Sequence, residues 1–290
     1  MIRDYNKNDI DEIIGLISKH HEITEEEKEG KRKELQEGKK VLVYDQDGVK
    51  GICILEIRAN PHYGNICDML ISLEDKLTMN AAEELWQNVQ PFFKEREVAV
   101  IVTYNRGTHI EALNFYKEKG FKDWFGAKHM EFKGGTFEKN NLVYRNFVEE
   151  DFEMYNNLCG EAFRPLREAN DIKPFNFFTG VLPEDKEKIK KGNIENKDSI
   201  YLFYDKEEYV GSAIIADDDV DNVYVNPSLQ GRGYGRKIME AAINIALEKN
   251  FKEIKLGVLE WNIKAYNLYK SLGFEEYDGF KFQRMFINKC

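Results

Sequence analysis

The chain has 290 residues, 42% of them hydrophobic and 32% charged, with a formal net charge of −10. That length leaves room for two ordinary domains, and the balance is that of a globular protein with a sizeable core. So acidic a chain repels polyphosphate and anionic lipid on average, which counts against nucleic acid and membranes as partners and leans toward a cationic amine.

Ile2-Arg3 precedes Asp9-Ile10, and apolar residues then recur at Ile13, Ile14, Leu16 and Ile17. This spacing predicts a short strand, a turn and an amphipathic helix capped by Asp. His20-His21 beside Glu22 read as a solvated helix end rather than metal ligands, and Lys28–Lys40 as a mixed-charge helix and turn. Val41–Asp45 with Gly51 reads as a β-hairpin. Asn65–Ser72 reads as a strand that runs through Leu73–Leu77 into a helix rich in Ala81, Ala82, Leu85 and Val89. No glycine stands at that junction, where Glu74 and Asp75 place negative charge. Ala112–Phe121 is a helix carrying Tyr116, closed by Gly120 and followed by an aromatic residue. Periodicity lapses over Phe132–Asn141, which puts the domain boundary there and gives domains 1–136 and 141–290.

The second half repeats these landmarks in order. Tyr144-Arg145 precedes Asp151-Phe152, Ile200–Asp205 with Gly211 forms the hairpin, and Ala265–Phe274 repeats the helix with Tyr269 in place of Tyr116. The surplus of the second copy falls in Phe163–Gly192, whose aromatic residues serve either acceptor binding or packing between the domains. The predicted fold is α/β: two tandem domains, each a mixed, mostly antiparallel sheet flanked by helices.

Between hairpin and closing helix the second copy has what the first lacks. Val220–Val225 reads as a strand, and Gln230-Gly231-Arg232-Gly233-Tyr234-Gly235-Arg236 leads into the helix Lys237–Lys249. A strand, a glycine loop and a helix present free N–H groups and a positive dipole end to a phosphate. A Walker loop is excluded because no Gly-Lys-Ser/Thr follows, and a dinucleotide fold is disfavoured because several strands precede the loop. Glu253–Val258 is the next strand, and Asn262 caps the closing helix.

Gln230, Gly233 and Gly235 fit a Q/R-x-x-G-x-G/A motif, and Asn262, Ala265, Leu268, Tyr269, Gly273 and Phe274 fit a later N-x-x-A-x-x-L-Y…G-F pattern. On these residues Asn141–Cys290 resembles the GNAT (GCN5-related N-acetyltransferase) superfamily, and the first half resembles the same fold more faintly. The resemblance implies an N-acetyltransferase that binds acetyl-CoA and has an amine of a small molecule or peptide attack it directly. It implies a pantetheine arm along Val220–Val225 bonded near Val223 and Val225, and a pyrophosphate on Gly231, Arg232, Gly233, Tyr234, Gly235 and Arg236. Tyr269 is then the acid for the departing thiolate, since a phenol stays protonated at neutral pH.

The base stays open. Strand alternation puts Asp219 and Asp221 on the face of Val223 and Val225, toward the cofactor, yet the run Asp217–Asp219 also reads as a solvated turn. The first copy reads as degenerate, supporting the second or helping to form the acceptor cleft. A non-catalytic acyl-CoA sensor is the alternative. The longest apolar runs are far too short to span a bilayer, and the start has no apolar signal core. Cys53, Cys67, Cys159 and Cys290 have no C-x-x-C spacing, so free thiols in a cytoplasmic protein without a metal are expected. Oligomeric state is left undetermined.

Overall fold

A computed structural model describes residues 1–20, 25–36, 39–73 and 79–287. His21, Glu22 and the acidic Glu74-Asp75 stretch, as well as Cys290, lie outside the described residues. In chain order the elements are β1 (Ile2–Asp4), α1 (Ile10–His20), α2 (Glu25–Gln36), β2 (Lys40–Asp45), β3 (Val49–Asn60), β4 (Gly64–Leu73), α3 (Met79–Glu95), β5 (Val98–Arg106) and α4 (Ile110–Glu118). They continue with β6 (Lys122–Phe132), β7 (Leu142–Asn146), α5 (Phe152–Ala169), α6 (Pro183–Glu195), β8 (Ile200–Asp205), β9 (Glu208–Ala216) and β10 (Asp219–Val225). The last are α7 (Tyr234–Glu248), β11 (Lys255–Leu259), α8 (Ile263–Leu272) and β12 (Phe274–Phe286). No described helix is long and apolar enough to cross a membrane.

The chain falls into two compact units: Met1–Trp124 joined by the residues from Lys281 on, and Phe125–Phe280. This differs from the boundary expected at 132–141. Most of β6 belongs with the second unit, and the end of β12 returns to the first. Hydrophobic periodicity reports which face of a strand is buried, not which sheet it joins.

In the first unit β1 to β5 lie side by side in sequence order, antiparallel except for the parallel β4–β5 pair. Ile13, Ile14 and Ile17 of α1 pack on Val41, Val43 and Ile52, whereas Leu85, Trp86 and Val89 of α3 cover Cys53, Leu55 and Met69 on the other face. In the second unit β7, β8, β9 and β10 are antiparallel neighbours, β10 runs parallel to β11, and β11 pairs antiparallel with β6. Ile238, Met239, Ala242 and Ile243 of α7 cover one face against Ala213, Ile215 and Val220. Phe152, Tyr155 and Cys159 of α5 cover the other against Leu202 and Tyr224. At ~1.5–3 kcal/mol for each large apolar side chain, these buried faces hold the layers together.

The repeat seen in the sequence has a structural counterpart. Arg3 grips Asp9 with two bonds of 2.7 and 2.9 Å, and Arg145 grips Asp151 with two of 2.6 and 2.7 Å. Each aspartate also accepts from the main chain three residues earlier, Asn6 at 2.8 Å and Val148 at 2.9 Å. One device thus fixes the entry to α1 and to α5.

Candidate active site

In the second unit β10 and β11 are in register only at Asp219 and Lys255, where the Lys255 N–H also donates to the Asp218 carbonyl at 2.8 Å. Beyond that point they flank a cleft of about 310 Å³. Its floor is Val220–Val223 and Gly257–Leu259, one wall is Ala265 and Tyr269 of α8 with its cap Asn262, and Phe163 and Leu166 of α5 stand on the other side.

β10 carries a bulge within this floor. Its register with β9 jumps from Asp221–Ile214 to Tyr224–Ser212, so one residue is inserted, and Asn222 takes a φ of 46°. An inserted residue inverts the alternation that follows it. Asp221 and Tyr224 therefore share the α5 face, while Val223 and Val225 pack with the α7 core. The expectation that Asp219 and Asp221 lie on the face of Val223 and Val225 is corrected by this bulge. Tyr224 is buried, and a Cβ on Gly211 would come within 2.1 Å of its carbonyl oxygen, so only glycine lets β9 lie this close.

The glycine loop sits at the N-terminus of α7. Gly231 and Gly233 have φ of 78° and 85°, and a Cβ on either would meet no protein atom within 4 Å. Packing therefore does not demand glycine there. The left-handed backbone does, and the space in front stays clear for a ligand. The α7 amides and dipole face that space.

The loop side chains have structural partners. Tyr234 donates to Asp205 at 3.0 Å, Arg236 reaches Ser271 at 2.5 Å and Glu240 at 3.4 Å, and Gln230 reaches back to the Val225 carbonyl at 3.4 Å. Arg232 extends to the Ser228 carbonyl at 3.4 Å. The Asn262 side chain accepts from the Ala265 N–H at 3.3 Å, capping α8 where it borders the cleft.

Tyr269 lines the cleft yet is only 8% exposed, and burial, reinforced by the charge of Asp221, pushes its phenol up to about 12. Asp219 meets solvent, but partial desolvation and then the Asp221 charge hold its carboxyl above the usual range, against the pull of Lys255 and His129. The expected boundary places His129 in the first domain, but it stands on β6 opposite Gly257 within the second unit. No local sequence signal marks a strand that joins the other unit.

The aromatic segment divides. Phe163 borders the cleft, whereas Phe178 is fully buried in the second unit's own core, 5.3 Å from the Phe152 ring. In the first unit Tyr116, the counterpart of Tyr269, is 1% exposed. Burial raises its phenol above the ordinary range, and its buried hydroxyl has no hydrogen-bond partner among the described residues. Among the described residues no group of His, Cys, Asp and Glu could hold a metal.

Residues 165–274 match the Acetyltransferase (GNAT) family. A thialysine N-epsilon-acetyltransferase from Bos taurus is 39% identical over 57 residues, which is 20% of this chain and 34% of the relative. The chain thus spans about a third of the length of this and similar curated relatives from Sus scrofa and Mus musculus. A GCN5-related N-acetyltransferase from Sphaerobacter thermophilus superposes with a TM-score of 0.75 at 15% identity, covering 100% of this chain and 96% of its own. A tandem GNAT protein from the clavulanic acid biosynthesis pathway gives a TM-score of 0.62 at 12% identity, covering 100% and 99%. At such identities the likeness is one of fold.

Proposed function

Residues 165–274 carry a domain of the Acetyltransferase (GNAT) family, and from that premise we propose that the protein transfers an acetyl group from acetyl-CoA to an amine of a small molecule or peptide. The observation that carries this reading is the loop with Gly231 and Gly233: left-handed glycines, open space before them and a helix N-terminus behind. That arrangement fits a pyrophosphate held by main-chain amides, with Arg232 supplying charge at the same end. The cleft between β10 and β11 then takes the pantetheine arm, with the main chain of Val223 and Val225 as its partner.

Acetyl-CoA supplies the activated acyl group, and the chain's residues orient and protonate. Tyr269 borders the cleft with its proton firmly held, so it serves as hydrogen-bond donor to the leaving sulfur. Asp219 and Asp221, on the α5 face, favour an acceptor that arrives positively charged. The bovine relative, whose name gives thialysine as the acetylated amine, supports a small basic acceptor over a peptide. A protonated Tyr269 at the cleft also favours turnover over a binding-only sensor. The first unit we read as a copy without a pyrophosphate site, one that supports the second.

Calorimetric titration of acetyl-CoA into the whole chain, beside a Gly233→Trp variant, tests the reading. One site per chain, lost in the variant, is expected; absence of binding to the unaltered chain overturns it.

A further inference from the structure

We propose that the bare stretch of β11 at Gly257 seats the acceptor amine, and that His129, directly across from it on β6, takes the amine's proton with Asp219 as its charge partner. This rests on the acetyl-transfer reading and goes beyond it by naming the seat and the base.

Gly257 is a glycine with no conformational or packing reason to be one. It is not among the glycines with positive φ, and a Cβ there would meet no atom within 4 Å. A glycine inside a strand weakens the strand, so its place needs another cause. Gly257 is exposed, and it forms part of the cleft floor. Space kept clear of protein at that point is space for a ligand.

His129 pairs with Gly257 in the antiparallel ladder, two residues along β6 from Ala127, which lines the cleft. Residues two apart on a strand share a face, so the imidazole stands on the same side as the seat. Its ring is braced by Phe280 at 5.2 Å and Tyr277 at 6.1 Å between ring centres. Asp219 of β10 pairs with Lys255, the same-face neighbour of Gly257 two residues earlier on β11, and is close enough to His129 for the two groups to feel each other's charge. The other charged or titratable groups around them are Asp218 and Asp221 beside Asp219, Lys255 of β11 with its partner Glu253 at 2.5 Å, Tyr277 of β12 under Lys255 at 5.8 Å with Asp278 beside it, and Glu131 of β6, bound to Lys133. With Lys255 and Glu131 already paired, His129 supplies the seat with an imidazole nitrogen that can accept a proton.

The amine arrives as an ammonium ion and gives one proton to the imidazole. Its lone pair forms the C–N bond at the thioester carbonyl, and the C–S bond breaks with its electron pair going to sulfur. The second proton lost by nitrogen balances the one that sulfur gains through Tyr269, and the imidazolium releases its proton to solvent.

The test uses the whole chain, acetyl-CoA and a panel of primary amines headed by thialysine, reading thiol release against pH and acetyl-CoA affinity by calorimetry. Gly257→Val should lower kcat/KM for the amine about tenfold or more and acetyl-CoA affinity by a smaller factor, since Gly257 also lies on the floor of the cleft; an equal loss of both overturns the seat. His129→Gln should lower it about a hundredfold and remove the acid limb of its pH profile. Asp219→Asn should lower kcat/KM for the amine about tenfold and keep the acid limb, since the proton is taken by His129 and Asp219 only steadies the charge. If Asp219→Asn removes the limb and His129→Gln keeps it, the carboxylate is the base and the assignment to His129 falls. Wild-type rates in both Gly257→Val and His129→Gln overturn the seat, whereas no thiol release by the unaltered chain with any amine overturns the transfer reading beneath it.

Discussion

The Tyr224 hydroxyl donates to the main-chain carbonyl of Tyr155 at 3.0 Å and lies 2.5 Å from the Tyr209 hydroxyl. The residue that ends the β10 bulge is thereby tied to α5, the helix that supplies Phe163 to the cleft. Tyr224→Phe should cost ~1 kcal/mol in urea unfolding, the net worth of such a bond, while leaving the Tyr209 hydroxyl short of a buried partner. It should lower turnover more than acetyl-CoA affinity, because the bulge shapes the floor of the proposed reaction site. Equal loss of both would reduce Tyr224 to a packing role.

Tyr269→Phe removes a proton donor without changing shape. With its phenol pushed up to about 12, Tyr269 stays protonated through the working range, so it should contribute no alkaline limb below about pH 10. The variant should bind acetyl-CoA normally and turn over roughly 10²-fold more slowly, the low end for acid catalysis because a thiolate leaves readily. Steady-state rates with acetyl-CoA calorimetry decide it.

Two glycines should respond to alanine in opposite ways. Gly211→Ala drives a methyl into the Tyr224 carbonyl and should destabilise the fold by ~3 kcal/mol, read from the denaturant midpoint. Gly231→Ala meets no protein atom and costs only the left-handed backbone penalty, ~1 kcal/mol, but it should weaken acetyl-CoA binding.

Asp151 is buried, and burial alone would raise its pKa. The Arg145 guanidinium and the Val148 N–H outweigh burial and hold the carboxyl below the usual range. A depressed carboxylate stabilises the fold above its unfolded pKa of about 3.9, and that contribution is lost as pH falls through the lower folded value. Arg145→Ala should therefore cost ~2 kcal/mol at pH 7, less than a fully buried pair because Arg145 is half-exposed, and less at pH 3. A deficit that does not shrink in acid would contradict the linkage. Arg3→Ala should behave alike through Asp9, whose carboxyl is lowered first by Arg3.

Much of the second unit was legible in the residues. Gln230–Arg236 and the Asn262 cap are local devices, set by a few neighbouring dihedrals and bonds, and the paired Arg3–Asp9 and Arg145–Asp151 announce the repeat. The bulge at Asn222 was not legible, because one inserted residue leaves the valine and aspartate pattern looking like an unbroken strand. That single residue moved Val223 and Val225 away from Asp219 and Asp221. Nor could His129 be assigned, since pairing partners far apart in sequence leave no periodic trace.

The return of β12 to the first unit bears on how the chain is made. Gln283 is fully buried there, reaching the Leu113 carbonyl at 3.2 Å and Asp123 at 3.0 Å, and the Ile287 N–H donates to the Ala99 carbonyl at 2.9 Å. Domains ordinarily fold one after another as they leave the ribosome. Here residues 1–124 emerge early and must wait, with Phe115, Tyr116 and Phe121 short of the cover that Met285 and Ile287 provide, until translation has passed residue 287. A nascent chain stalled before that point, or a fragment cut at the repeat boundary, is then a client for chaperones rather than a folded half-protein.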